Sequence, residues 1–261
     1  MSVNIWTHCA GPSEIGPRTA VGHRVVEAQH ENATRKLVDS DDEQALLEAL
    51  IDSHAKPPMP PGERFSSLHY LLVPPFRHPP LRNGSRFGRR HERGIWYGSC
   101  DVRTALCEVA YYRLIFLEGT TANLGLQEVT LSAFKAKIAA TRAIDLTEEP
   151  FDAFRDELCS PTDYRAAQAL GSAMRSSGVE AFFFRSARYR REGTTDESGT
   201  NLALFEPVFA GRTPTGLSSW RCSYTKERVE FRRNGVLTKP ERHVFLREQF
   251  LVEGALPHPA T

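Results

Sequence analysis

Three residues suited to chemistry stand at even intervals in this sequence: Arg86, Tyr97 and Glu108, each eleven residues from the next. Arg86 lies in a glycine-bracketed turn, GSRFG, where the backbone can bend sharply and approach a ligand closely. Tyr97 belongs to the short apolar run GIWYG, and Glu108 to the segment of helical spacing that follows. The three side chains offer complementary services. A guanidinium fork matches phosphate oxygens and stays charged at physiological pH. An aromatic ring stacks on a planar group and keeps water from its face. A carboxylate stabilises developing positive charge or orients a nucleophile.

The elements that must position them are legible nearby. GIWYG has the aromatic, β-compatible composition of a short strand. Asp101 can cap the helix that follows, in which Val102, Ala105, Leu106, Val109 and Phe116 share one face. Glu108 sits at the edge of that face, about 120° from its centre, and so looks along the core boundary. Upstream, RFSSLHYLLV reads as a strand headed by Arg64, and a Pro- and Arg-rich loop joins it to the turn. Downstream, LGLQEVTLSAFKAKIAATRAIDLT holds two strand candidates, and TDYRAAQALGSAMRSSG is a helix closed by Gly178. VEAFFFRSAR reads as a buried strand ending at Arg185, Ser186 and Arg188; a polar loop at 191–200 and a strand in NLALFEPVF follow. RCSYTKERVEFRR gives one or two edge strands before a loose tail beyond Pro257.

At the other end, residues 1–20 look irregular, HRVVEAQH is a short strand, and SDDEQALLEALIDSH is a helix capped by Ser40 or Asp41. KPPMPPG, residues 56–62, breaks regular structure and is the best domain boundary. The expected organisation is an N-terminal extension over 1–61, with one helix and a Pro-rich linker, before a catalytic domain over 62–261. The expected fold is a mixed α/β (α+β) sheet domain with helices on its flanks.

Composition narrows the function classes. The 261 residues carry 33 basic and 32 acidic side chains, a formal charge of +1, so no global field recruits nucleic acid or a membrane. No signal-peptide pattern or membrane-length apolar run is present, which points to the cytoplasm. The five cysteines are scattered without CxxC spacing, which favours free thiols over disulfides or a zinc site, and no metal site is expected.

From about Arg64 to Phe205 the sequence resembles the RES-domain family. The resemblance rests on RFSS, GSRFG, GIWYGS, TALCE, QALG, FFFRSAR and NLALF in that order. It implies an ADP-ribosyltransferase-like core that consumes NAD⁺ as substrate, without a cofactor, commonly as the toxin of a toxin–antitoxin pair. It also implies a functional set of Arg64, Arg86, Tyr97, Glu108 and Ser186. Glu108, Arg86 and Tyr97 would be catalytic; Arg64, Arg86, Tyr97 and Ser186 would bind NAD⁺. The turn departs from the family pattern of two glycines, arginine, tryptophan and asparagine, with Ser85 in place of the second glycine and Gly88 in place of the asparagine.

The resemblance implies cleavage of the nicotinamide–ribose bond, by a glycohydrolase or a phosphorylase. Mono-ADP-ribosylation of a protein is the alternative, and a catalytically inactive NAD⁺-binding module is another. The implied partner is an antitoxin with a helix-turn-helix domain, seated over the arginine-rich loop. The helix at 40–54 could serve instead as a built-in cover or a homo-oligomer contact, to be tested by truncation before Lys56. A rival of a different class is RNA binding through residues 76–93. That stretch holds Arg77, Arg82, Arg86, Arg89, Arg90 and Arg93, with Phe76, Phe87 and Trp96 as stacking rings.

Overall fold

The longest strand organises the sheet. The computed structural model describes residues 4–28, 38–51, 57, 62–78, 83–189, 199–235 and 241–258. In chain order its elements are α1 (Ile5–His8), β1 (Gly16–Glu27), α2 (Asp41–Leu50), α3 (Glu63–Ser66), α4 (Pro74–Arg77), β2 (Trp96–Ser99), α5 (Val102–Glu118), β3 (Gln127–Asp145), α6 (Arg155–Leu158), α7 (Arg165–Ser176), β4 (Ala181–Arg185), β5 (Thr200–Leu204), β6 (Thr215–Tyr224), β7 (Arg228–Arg233) and β8 (Arg242–Leu246). The two strand candidates expected after α5 are one 19-residue strand, β3. Its buried and exposed residues alternate without a break from Phe134 to Ala140.

The architecture is mixed α+β, with eight strands in the order β1-β2-β5-β4-β3-β6-β7-β8. β1 also pairs with β3, so the first five strands of that order close into a ring. One edge of β3 serves β1; the other serves β6 in its first half and β4, in parallel, near its end. β6, β7 and β8 then extend the sheet as an antiparallel meander.

Alternation along the ring strands sends one set of side chains inward. Trp96, Phe134, Ile138, Leu202 and Leu204 fill the interior, and Ala136, Ala140, Ala143 and Ala181 leave room for the larger rings. Phe65, Leu71, Leu72, Val73 and Phe76 pack onto the same cluster. All but Phe76, which is on α4, come from RFSSLHYLLV, expected as a strand. The chain there is α3 followed by turns, because local bonds satisfy its backbone: Leu68 N–H to the Phe65 carbonyl, Leu72 N–H to that of His69, and Leu71 N–H to His69 Nδ1. Its apolar residues plug the ring rather than pair with it.

The outward side chains form two further clusters. α7, α1 and the turn at 85–88 cover β4 and β5 around Phe182, Ala203 and Phe184. α5 covers the first half of β3 and the β6–β8 meander around Leu131, Trp220 and Phe231. Both helices form where their sequences imply, but α5 turns a different face to the core: Leu106, Ala110, Leu114 and Leu117 are buried, while Phe116, expected on the apolar face, is 58% exposed. The Asp101 carboxylate accepts the Thr104 N–H (2.8 Å) and hydroxyl (2.6 Å), and Gly178 follows α7 with a left-handed φ of +72°.

The N-terminal region is more involved than a helical appendage. β1 begins at Gly16, within the segment expected to be irregular, and makes eleven register pairs with β3. Arg24 of β1 donates to the Tyr97 carbonyl (2.5 Å), and burial lowers its pKa to about 10. α2 forms as expected, with Ser40 Oγ accepting the Glu43 N–H at 3.2 Å. Of the Pro-rich stretch 56–62, only Pro57 and Gly62 are described. Arg82, most of the 191–200 loop, and the tail beyond His258 lie outside the described residues.

Candidate active site

The seam between the two outer clusters is where the sequence candidates meet. Tyr97 and Ser99 on β2 and Asn201 on β5 point outward there, since Ser99 pairs with Asn201 in register. Ser186 follows β4, and Glu108 arrives from α5. Glu108 Oε1 accepts from Ser186 Oγ at 2.5 Å and from Asn201 Nδ2 at 2.7 Å. Two charge-assisted bonds of this kind are worth about 1.5–3 kcal/mol each.

The neighbours fix the sense of both bonds. Ser186 Oγ accepts the backbone N–H groups of Arg188 (3.1 Å) and Tyr189 (3.0 Å), so its single proton goes to Glu108. Asn201 Oδ1 accepts from Ser99 Oγ at 2.6 Å, which turns its amide nitrogen to the carboxylate. Oε2 of Glu108 accepts no hydrogen bond among the described residues.

Arg86 is held from behind. Its Nη1 donates to the carbonyls of Leu158 (3.2 Å) and Ser160 (2.7 Å), and its guanidinium lies 4.4 Å from the centre of the Tyr164 ring. Among the described residues it has no acidic partner, which leaves Nε and Nη2 for an anion. The turn that carries it is pinned on both sides. Ser85 and Gly88 exchange backbone hydrogen bonds, the Tyr97 hydroxyl meets Ser85 Oγ (2.9 Å), and it accepts the Phe87 N–H (3.2 Å). Phe87 is fully buried edge-on to Phe182 and Phe184, at 4.8 and 4.9 Å between ring centres. Gly171 of α7 must be glycine, because a Cβ there would stand 1.9 Å from the Phe87 carbonyl oxygen. The Tyr97 ring meets Phe184 edge-on, and burial pushes its phenol up to about 12, so it stays protonated.

Glu108, Ser186, Arg86 and Tyr97 therefore belong to one neighbourhood. Arg86 lies on the Tyr164 ring, the Tyr164 hydroxyl accepts from Arg188, and the Arg188 backbone N–H reaches Ser186 Oγ beside Glu108. Arg64 is exposed on α3, and its guanidinium makes no hydrogen bond or ion pair among the described residues.

Sequence reasoning missed three contributors. Asn201 holds Glu108; the signal was an asparagine, a poor strand former, inside an otherwise apolar strand. Tyr164 is buried, carries Arg86 on its face and accepts from Arg188 Nη2 at 3.2 Å. Arg188 is 5% exposed and stacks 3.8 Å from the centre of the Tyr111 ring. Arg86, Tyr164, Arg188 and Tyr111 thus alternate cation and ring beneath the seam. Tyr111 is fully buried, whereas Tyr112 beside it is 57% exposed.

Among the described residues, no group of three His, Cys, Asp or Glu side chains is placed to hold a metal ion, and no helix is long and apolar enough to cross a membrane. No disulfide joins the five cysteines.

No curated protein matches the chain. A chain from the crystal structure of the M. tuberculosis MbcT–MbcA toxin–antitoxin complex is similar at 11% identity and a TM-score of 0.44, over 86% of this chain and 94% of that one. The RES-domain profile matches residues 61–225, which take in Arg86, Tyr97, Glu108, Ser186 and Asn201. With more than half of its length matched, the chain belongs to the RES-domain family.

Proposed function

We propose that this chain cleaves the bond between nicotinamide and ribose in NAD⁺, as the toxin of a toxin–antitoxin pair acting in the cytoplasm. The observation that carries this reading is the Glu108 carboxylate. Ser186 and Asn201 hold one oxygen, and the other accepts nothing among the described residues, so it can receive a ribose hydroxyl or face a ribosyl cation. A negative charge fixed before the reaction needs no reorganisation as positive charge develops, and such a term is worth about 2.7–4 kcal/mol.

In the reaction, the bond from C1′ of the ribose to the nicotinamide nitrogen breaks, and its electron pair leaves with nicotinamide, which departs neutral. The ribosyl group left behind has the oxocarbenium character of a glycosidase transition state. An oxygen of water or of inorganic phosphate then bonds to C1′, and its proton passes to Glu108 or to solvent. Arg86 supplies the open side of its guanidinium to the diphosphate. Tyr97, whose hydroxyl is tied to the turn, holds Arg86 in place and offers its ring as one wall of the site. Arg64 is the second cation proposed for the substrate, from its exposed position on α3. NAD⁺ is the substrate, and no step calls on a metal or another cofactor.

The RNA-binding rival loses its stacking rings. Phe76, Phe87 and Trp96 are each no more than 2% exposed, and Arg93 is paired with Glu206 at 3.1 Å. The test of the proposal is the identity of the adenine-containing product. The purified chain is incubated with NAD⁺, with and without phosphate, and the product is weighed. ADP-ribose would identify the hydrolase and a phosphorylated ADP-ribose the phosphorylase; unaltered NAD⁺ would refute both.

A further inference from the structure

On the sheet surface beyond the first turn of α5 lies a cavity of about 280 Å³, the size of a small ligand pocket. Its origin is a break in the β3–β6 ladder. Ala133 pairs with Ser218, but Lys135 pairs with Thr215, so β6 carries an extra residue there. Gly216, with φ +59°, supplies the bend. The gap leaves Trp220 and Phe134 in the cavity wall, with Val102 of α5 contributing at one side.

The charges around it are unbalanced. His23 and Lys135 are direct cross-strand partners and both line the cavity, as does Arg233. Neither His23 nor Lys135 has a hydrogen-bonded or ion-paired acid among the described residues. Two acids are near, and both are committed. Glu241, which also lines the cavity, is bonded to Arg233 (3.2 Å) and to His243 (3.3 Å), so a ligand phosphate would share Arg233 with it; Asp101 caps α5. Burial first, then Lys135, holds the His23 imidazole below its ordinary pKa, while Asp101 pulls weakly the other way.

We propose that this cavity is a second ligand site, taking a phosphate group between His23, Lys135 and Arg233, either free or as a phosphate monoester. The proposed ligands lie on β1, β3 and β7 and none of them touches Glu108, although His23 pairs in register with Ser99, which bonds the Asn201 that holds Glu108.

The test is calorimetric titration of the full chain with inorganic phosphate and, separately, with AMP, on the parent, Lys135→Met and Arg86→Met. Lys135 is exposed, so its replacement spares the core. The expected result is saturable binding that Lys135→Met weakens at least about tenfold and Arg86→Met leaves intact. Tighter binding of AMP than of phosphate would assign the monoester, and equal binding the free anion. The His23 NMR titration midpoint should rise on saturation, because a bound anion favours the imidazolium against Lys135 and Arg233. No saturable binding of either probe, or binding indifferent to Lys135→Met, would overturn the proposal.

Discussion

Glu108→Gln separates charge from shape at the centre of the site. Glutamine keeps the volume and an Oε1 able to accept from Ser186 Oγ and Asn201 Nδ2, now held at 2.5 and 2.7 Å. Two charge-assisted bonds become neutral ones, so folding stability should fall by about 1–3 kcal/mol in all, and the fold should survive. The reaction should suffer more. Removing a preorganised charge from a developing cation costs about 10²–10³ in rate, or about 2.7–4 kcal/mol. Diphosphate binding, assigned to arginine, should change little. The assay is single-turnover nicotinamide release beside NAD⁺ titration calorimetry. A folded Glu108→Gln protein that releases nicotinamide within about threefold of the parent rate would refute the reasoning, since the charge would then contribute under about 1 kcal/mol.

Other perturbations should fail in different ways. Arg86→Lys keeps a charge but loses the planar fork, and calorimetry should show NAD⁺ binding weakened about tenfold or more; an unchanged constant would make Arg86 structural. Gly171→Ala drives a Cβ into the Phe87 carbonyl, and thermal unfolding should show about 1–3 kcal/mol of destabilisation as the Arg86 turn is displaced. Tyr97→Phe removes the acceptor of the Phe87 N–H, so KM for NAD⁺ should rise more than kcat falls if the hydroxyl positions the turn. Glu230 is pulled from its ordinary 4.5 to about 2, chiefly by the hydrogen bond from Arg242 and then by Arg232. A depressed carboxylate stabilises the fold above its unfolded pKa, so this contribution should vanish as pH falls from about 4.5 to 2, and Glu230→Gln should flatten that part of the stability curve. Truncation before Lys56 would remove β1 from the closed ring, so we expect loss of cooperative unfolding rather than release from self-inhibition.

What could be read in the sequence was what local forces decide. The Asp101 cap and the helical spacing behind it are enough to specify α5, but not its buried face, which runs through Ala110 and Leu114 rather than through Phe116. β2, β4, β5 and α7 were legible for the same reason. Long-range partners were not. The start of β1 carries Gly16, Pro17 and Arg18, which discourage a strand locally, yet it pairs with residues of β3 more than a hundred positions away. The apolar run 65–73 has no period that separates a strand from a folded plug, and the ring interior decided it. Asn201 meets Glu108 across 93 residues and Tyr164 meets Arg86 across 78, distances at which spacing carries no signal.

The account rests on Glu108 acting on NAD⁺, and proton NMR of the pair in one tube tests this most directly. The purified chain is mixed with a large excess of NAD⁺ and the aromatic signals are followed in time. The account predicts that free nicotinamide appears in amounts exceeding the protein, and that Glu108→Gln suppresses it. NAD⁺ that remains intact beside the folded parent protein would contradict the account.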